Sequence, residues 1–350
     1  MFGDLNAKIL TEDLDGILSR ELPWEQFDEA TVVIAGAGGF LPAYMVEVLL
    51  RRNDTVGSNT RVVALVRNVE IATQRFRRYV AGGLLRIEHQ DMSRELDYAG
   101  AADFIVHAAS RASPKYYGTD PVGTALPNVI GTANLLELAH SRGSRGFLFF
   151  SSAEVYGSTK VEKIHETAFG GLDPAVTRSC YAESKRLGET LCVAYAHQYG
   201  LRTVIARPFH CYGPGMKFDD GRVFADFVTA AVHGRNITLH SQGTARRSFC
   251  YISDATLAFF TILLLGQPGT AYNVGNPDTV TSIRDLAEIV IGLVPEKGLS
   301  VELDAGVLQG YIKSDIEAVT PDIARLTALG WTAQVGLALG FGRTISAYLP

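Results

Sequence analysis

Short apolar segments rich in β-branched residues alternate with longer segments of helical periodicity from Thr31 onward. The apolar segments predict strands at residues 31–35, 61–66, 84–88, 102–107, 146–151 and 201–206. Apolar residues three and four positions apart predict helices at residues 40–52, 69–80, 120–141 and 180–199. Strands that alternate with helices are typical of a parallel sheet with crossover helices. The pattern therefore predicts an α/β fold, a Rossmann-type doubly wound parallel sheet.

The sequence pattern changes after the last of these predicted strands. Glycine and proline, for example at residues 213–215, punctuate shorter elements there. We therefore predict a Rossmann domain at residues 31–207 and a smaller C-terminal portion at residues 208–350. Residues 1–30 precede the first strand and carry apolar residues at helical spacing, so we expect a helical extension packed on the outside.

Composition excludes several classes of function. The chain has 350 residues, of which 47% are hydrophobic and 20% charged, and this is enough to bury a sizeable core. A formal net charge of −5 lacks the basic excess of a protein that binds nucleic acid. We find no signal-peptide pattern and no run of about 18 apolar residues, so we expect no membrane contact.

The cysteines predict neither a metal site nor a disulfide framework. Cys180, Cys192, Cys211 and Cys250 form no C-x-x-C pair and have no matching histidine spacing. Reduced thiols fit a cytoplasmic location best.

A glycine cluster directly follows the first predicted strand. Gly36, Gly38 and Gly39 precede Phe40, where a helical segment begins. Backbone N–H groups of such a turn and the helix dipole meet the pyrophosphate of a dinucleotide. Pro42 stands where a third glycine usually lets the helix pack closely on the strand, and the first helical turn tolerates its missing N–H. The turn therefore predicts a site for NAD or NADP.

The second predicted strand ends in Arg67, whereas NAD-specific sites commonly have an acid there for the ribose hydroxyls. A guanidinium pairs well with a 2′-phosphate, which favours NADP, but it equally stacks on adenine or faces solvent. Asp91, after the third strand, is the candidate adenine partner, with Met92 beside it. Ala108 and Ala109, after the fourth strand, complete the cofactor candidates.

Three residues predict proton transfer coupled to hydride transfer. Tyr181 and Lys185 lie four residues apart on a predicted helix and therefore on one face. A free tyrosine, with a pKa of about 10, is a weak base, so we expect Lys185 and the positive nicotinamide to lower the pKa of Tyr181. Ser152 ends the fifth strand, at the edge where ligands bind open α/β sheets. Each feature alone also fits a helix surface or a cap, but their order after a glycine turn favours catalysis.

This order of motifs resembles the extended short-chain dehydrogenase/reductases of the NAD-dependent epimerase/dehydratase family, from about Val32 to near the C-terminus. Within the family the chain is most similar to the UDP-glucuronate decarboxylases, through segments at residues 107–114, 220–223, 247–254, 273–277 and 321–323. The resemblance implies tightly bound NAD, a nucleotide-sugar substrate, and a homodimer formed through the helices at 120–141 and 180–199.

The resemblance also implies roles for individual residues. Ser152, Tyr181 and Lys185 would be the catalytic set, and Asn128 would help to order it. Arg222 and Arg247 would contact the substrate diphosphate, as bidentate partners of phosphate do.

Two departures from the family concern substrate contacts. His210 stands where most relatives have an asparagine, and a neutral imidazole also donates and accepts. The stretch 313–321 lacks an arginine that usually adds a diphosphate or ribose contact, which leaves the nucleotide open.

The residues after Ser152 bear on the outcome of the reaction. Dehydratases resemble one another in an acid at the position of Ala153, so dehydration is disfavoured. Glu154 agrees with the decarboxylases, whereas the pair Ser152 and Ala153 agrees with epimerases. Arg111 and Lys115, after the fourth strand, are expected to hold a sugar carboxylate.

We therefore expect a redox-neutral nucleotide-sugar enzyme that works through a 4-keto intermediate. Decarboxylation of a nucleotide-hexuronate comes slightly ahead of C4 epimerisation. An NADPH-dependent 4-keto-sugar reductase stays open, as does a non-catalytic NADP sensor, against which the complete catalytic set argues.

Overall fold

The computed structural model describes residues 6–159, 161–304 and 318–349. Its strands are β1 (Thr31–Ala35), β2 (Arg61–Val66), β3 (Leu85–His89), β4 (Phe104–His107), β5 (Gly146–Phe150), β6 (Lys163–Ile164), β7 (Thr203–Pro208), β8 (His210–Tyr212), β9 (Ile237–Leu239), β10 (Arg246–Arg247), β11 (Phe249–Tyr251), β12 (Thr270–Val274), β13 (Thr281–Ser282), β14 (Val301–Leu303) and β15 (Ala318–Pro321). Its α-helices are α1 (Ala7–Leu18), α2 (Phe40–Val56), α3 (Val69–Arg75), α4 (Arg77–Val80), α5 (Lys115–Thr119), α6 (Pro121–Arg142), α7 (Cys180–Tyr199), α8 (Val223–His233), α9 (Ile252–Leu265), α10 (Ile283–Gly292), α11 (Ala324–Thr327) and α12 (Leu337–Ser346).

A seven-stranded parallel sheet lies at the centre of the protein. Its strand order is β12-β7-β5-β4-β1-β2-β3, so the chain winds outward from β1 in both directions. This order is that of a doubly wound α/β fold, and the predicted fold class is confirmed. The predicted helix at 69–80 is divided, because the backbone leaves the helical region at Phe76.

Both faces of the sheet are buried. In β1, Val32 and Ile34 face one apolar cluster, whereas Val33 and Ala35 face another. Successive side chains of a strand point to opposite faces, so a strand covered by helices on both faces is apolar throughout. This explains why β1 is a continuous apolar run, whereas β3, at the edge of the sheet, carries the charged residues Arg86 and Glu88.

Shorter strands lie beyond the carboxyl ends of β5 and β7. β6 belongs to a sheet of order β13-β10-β15-β6, and β8 pairs with β11. β12, at residues 270–274, joins the central sheet beside β7. The division of the chain at residue 208 stays a prediction, since the strand at 270–274 belongs to the sheet of the first portion.

The N-terminal helix α1 packs against α2 and α9. Leu14 and Ile17 are buried there. The carboxylate of Asp13 accepts hydrogen bonds from Tyr251 Oη at 2.8 Å and from Arg343 Nη2 at 2.8 Å, which ties α1 to β11 and α12. Across the described ranges, every helix is too short or too polar to cross a lipid bilayer.

Candidate active site

The glycine turn between β1 and α2 has the geometry of a pyrophosphate site. Gly36 has φ +80°, and a Cβ there would lie 2.7 Å from the backbone of Ala109, so only glycine fits. Gly39 caps α2 without a side-chain hydrogen bond to the first turn. The N–H groups at the start of α2 can therefore bind an anion, and the residues present fit a dinucleotide.

The other cofactor candidates follow β2, β3 and β4, at the same edge of the sheet as the turn. Arg67 is exposed and makes no hydrogen bond or ion pair with any residue that the structure describes. Asp91 Oδ1 accepts from the N–H and the hydroxyl of Ser93, at 2.9 and 2.7 Å, and these bonds hold its pKa below the usual value. Met92 is buried. Their contacts with a dinucleotide stay predictions.

Ser152, Tyr181 and Lys185 meet at the carboxyl end of β5. Ser152 Oγ accepts from the N–H of Glu154 at 3.2 Å and interacts with the phenol of Tyr181. Lys185 Nζ donates to the carbonyl oxygen of Phe150 at 2.5 Å and lies 5.8 Å from the centroid of the Tyr181 ring. Because Phe150 ends β5, the strand positions both the lysine and, two residues on, the serine.

Burial acts on both titrating groups of this set. It raises the pKa of Tyr181 to about 12, while Ser152 and Arg222 act in the lowering direction. Burial lowers the pKa of Lys185 to about 7, and Glu189 opposes this. The expected lowering of the Tyr181 pKa by Lys185 is not found in the protein alone, because the ammonium is directed to Phe150 O. A positive group close to the phenol would be needed to make it a base at neutral pH.

Asn128 links the two long helices beside this set. It is fully buried on α6, and its Nδ2 donates to Thr124 O and to Ser184 Oγ, both at 3.0 Å. Ser184 lies on α7 between Tyr181 and Lys185. The contact agrees with an ordering role, which stays a prediction.

The sequence of the chain is similar to those of known proteins. Residues 32–275 match the NAD-dependent epimerase/dehydratase family. The chain belongs to this family. It is 34% identical over 312 residues to UDP-glucuronic acid decarboxylase 3 of Arabidopsis thaliana, covering 88% of this chain and 86% of the relative.

Solved structures of the family share the fold. UDP-glucose 4-epimerase of Thermotoga maritima, solved with UDP-glucose, has a TM-score of 0.77 at 20% identity, covering 91% of this chain and 98% of that one. UDP-glucose 4-epimerase of Thermus thermophilus, solved with NAD, has a TM-score of 0.73 at 24% identity, covering 91% and 98%. Membership of this family supports an NAD(P) cofactor for the chain.

Among the substrate candidates of this family member, His210, Arg222 and Arg247 lie together. Burial lowers the pKa of the His210 imidazole to about 3, and the positive charges of Arg247 and Arg222 act in the same direction. His210 Nδ1 is buried and makes no hydrogen bond with the described residues. Arg222 also pairs with Asp220, with Nε to Oδ2 at 2.8 Å. These positions suit a site for an anion beside a neutral imidazole.

The expected carboxylate-binding cations, Arg111 and Lys115, both have acidic partners. Arg111 pairs with Asp120, the N-cap of α6. Lys115 Nζ donates to the carbonyl of Asp219 at 2.7 Å and to its carboxylate at 3.1 Å. The two cations tie loops together in this structure, and their proposed contact with a sugar stays a prediction.

Sequence reasoning missed several groups that the fold brings to the site. Arg178 Nη1 donates to the predicted residue Glu154 at 3.4 Å, and Tyr117 stacks on Tyr181. Glu189 lies one helical turn after Lys185, a spacing that could have revealed it. The missing arginine at 313–321 concerns a stretch that lies largely outside the described residues. No group of three histidine, cysteine, aspartate or glutamate side chains within the described ranges is arranged to hold a metal ion.

Proposed function

We propose that this chain removes CO2 from a nucleotide-bound hexuronate after oxidising the sugar at C4, with NAD(P) bound at the glycine turn. The observation that carries the proposal is the meeting of Ser152, Tyr181 and Lys185 at the carboxyl end of β5, with Glu154 beside them. The similarity to UDP-glucuronic acid decarboxylases over most of the chain supports decarboxylation ahead of epimerisation.

The chain's own groups provide the proton transfers. A dinucleotide held at the glycine turn of Gly36 and Gly39 would supply reversible hydride transfer at C4, so the overall reaction would be redox-neutral. Tyr181 takes the proton of the C4 hydroxyl, and Ser152 holds that oxygen by a hydrogen bond. The resulting C4 ketone lies β to the C6 carboxylate, so cleavage of the C5–C6 bond leaves its electron pair in an enolate. Water supplies the proton that C5 takes up as the enolate returns to a ketone. When C4 is reduced again, Tyr181 returns its proton to the C4 oxygen, and the product is a pentose.

Two sets of side chains would place the substrate. Arg222, Arg247 and His210 would hold the diphosphate end, which places the sugar toward Tyr181, since Arg222 is close enough to act on the pKa of that phenol. Arg111 and Lys115 would lie at the C6 end of the sugar. To bind a carboxylate they would exchange or share their present partners, Asp120 and Asp219.

The cofactor is proposed to be NAD that stays bound between turnovers. A reaction that returns its hydride consumes no reductant, so the dinucleotide need not leave the protein between turnovers. Arg67, exposed at the end of β2, is the residue that would admit NADP instead.

A homodimer through α6 and α7 is also part of the proposal. The two helices pack on each other and expose apolar side chains, among them Val122, Ile130, Leu187 and Val193. Exposed apolar residues on adjacent helices suit burial against a second copy. Light scattering of the purified protein should give twice the mass of the chain.

The test is incubation with a panel of nucleotide-sugars after mass spectrometry of the small molecules released from the purified protein. We expect bound dinucleotide, CO2 release from a nucleotide-hexuronate and a pentose product. Tyr181→Phe is the control for contaminating activity. Return of the C4 epimer with its carboxylate intact would reject decarboxylation in favour of epimerisation, and consumption of added NADPH would favour a reductase.

A further inference from the structure

A buried carboxylate that the proposed reaction does not use lies behind the catalytic pair. Glu189 is on α7, and its side chain is 12% exposed. Its Oε1 accepts from Ser151 Oγ at 2.5 Å and from Arg207 Nε at 2.8 Å, and its Oε2 accepts from Arg207 Nη2 at 2.5 Å. Helix α7, the end of β5 and strand β7 therefore meet at one carboxylate.

The same end of β5 also holds Lys185. Its ammonium donates to the carbonyl of Phe150, and Glu189 accepts from Ser151, the next residue along the chain. Lys185 and Glu189 are four residues apart on α7 and lie on one face. The ammonium and the carboxylate are thus hydrogen-bonded to two consecutive residues, Phe150 and Ser151, and Ser152 follows directly.

Charged and titratable groups face Lys185 from three elements. On α7 they are Tyr181, Glu189 and Cys192, whose thiol has a pKa raised well above its usual value by burial. From β4 comes His107, which is neutral because burial and Lys185 lower its pKa to about 3. Strand β7 contributes a cation, the guanidinium of Arg207, which pairs with Glu189. Of these groups, all within the described part of the chain, Glu189 carries the negative charge.

A buried ammonium loses its proton unless an anion lies near it. Desolvation acts on Lys185 in this direction, and Glu189 is the first of the groups that oppose it. The bidentate contact with Arg207 fixes the orientation of the Glu189 carboxylate.

We propose that Glu189 is a positioning residue that, held by Arg207 and Ser151, keeps the ammonium of Lys185 charged and in place beneath Tyr181. In this role it would act through Lys185 and not by contact with substrate or dinucleotide. The inference deepens the proposed function, on which it rests only for its effect on turnover.

The test measures the charge of Lys185 directly. The protein, purified with whatever dinucleotide it retains, is labelled with ¹³C at lysine Cε and titrated by NMR without substrate, and Lys185→Met identifies the signal. In Glu189→Gln the pKa of Lys185 should fall by about one unit, because an anion is lost and Arg207 is left unpaired. In Arg207→Met it should rise, because a cation is lost while the hydrogen bond from Ser151 still holds the Glu189 carboxylate.

Glu183→Gln is the matched control. Glu183 lies on the same helix but pairs with Arg186 at 3.2 Å on a more exposed face, so the pKa of Lys185 should not change. If the pair of Glu189 and Arg207 only held the fold together, Glu189→Gln and Arg207→Met should shift the pKa of Lys185 in the same direction. An unchanged pKa in Glu189→Gln overturns the proposal. If that variant does not fold, Arg207→Met decides alone, and any result other than a rise overturns it.

Turnover provides a second readout. With a lower pKa, Lys185 in Glu189→Gln loses its proton at a lower pH than in the wild type. The variant should therefore lose severalfold more activity at pH 8 than at pH 6, relative to the wild type at the same pH. An equal loss at both pH values contradicts the positioning role. If no nucleotide-sugar is turned over by any variant, the proposed function fails, whereas the NMR titration still decides the role of Glu189.

Discussion

The ring of Tyr117 lies parallel to the ring of Tyr181, with centroids 5.0 Å apart and 14° between their planes. Tyr117 is buried on α5, and its hydroxyl donates to Ala112 O at 3.0 Å. Its phenol is therefore engaged in the loop, and its ring face supports the tyrosine assigned to proton transfer. The stack limits rotation of the Tyr181 ring and so fixes where its hydroxyl points.

This arrangement separates the roles of the two phenols. Tyr181→Phe should keep the fold and the bound dinucleotide but lose at least about 100-fold in turnover, the usual scale for a positioned proton-transfer group. Tyr117→Phe keeps the stacked ring and should stay within about fivefold of the wild type, since it loses one hydrogen bond in the loop. Steady-state kinetics of both variants checks this, and near-normal turnover in Tyr181→Phe would remove the assignment.

Arg67 should control the choice between the two dinucleotides. If its guanidinium binds a 2′-phosphate, Arg67→Ala lowers the affinity for NADP by about tenfold or more and leaves that for NAD nearly unchanged. Titration calorimetry with both cofactors measures the ratio. Arg86→Ala, which removes an exposed guanidinium paired with Glu88 on β3, is the control. An unchanged ratio in Arg67→Ala shows that Arg67 does not read the phosphate.

Arg111 and Lys115 can be tested by comparing an acidic with a neutral sugar. Arg111→Ala and Lys115→Ala should weaken binding of the nucleotide-hexuronate by about tenfold more than binding of the neutral hexose. Asp219→Asn removes the carboxylate partner of Lys115 and should not weaken uronate binding. Equal weakening for both sugars would assign the two cations to loop stability alone.

His210 should make the protein less stable in acid. Burial lowers its pKa from 6.5 to about 3, so between these values the unfolded chain binds a proton that the folded protein does not. Stability from this group is therefore present above about pH 6.5 and falls as the pH is lowered, by up to about 1.4 kcal/mol per pH unit. His210→Asn should lose less stability than the wild type between pH 6.5 and 5. Urea midpoints at several pH values test this, and parallel curves would contradict it.

The helices and strands of the Rossmann sheet could be predicted because their signals are local. Strand β1 is apolar at every position since both of its faces are covered, and glycine at position 36 marks a backbone conformation that few other residues adopt. Some predicted bounds of strands and helices differ from those in the structure. The strand placed at 102–107 begins at Phe104, and the helix placed at 69–80 divides at Phe76.

The sequence by itself determined the fold class, the family and the residues within one motif, because the i,i+4 spacing of Tyr181 and Lys185 is a property of a single helix. Only the tertiary structure decided their partners. Asp219 meets Lys115 across 104 positions of the chain, and this pairing uses a cation that the sequence left free for substrate. Glu189 likewise meets Ser151 across 38 positions. Such contacts depend on where strands end in the folded sheet, and a linear pattern carries no record of that.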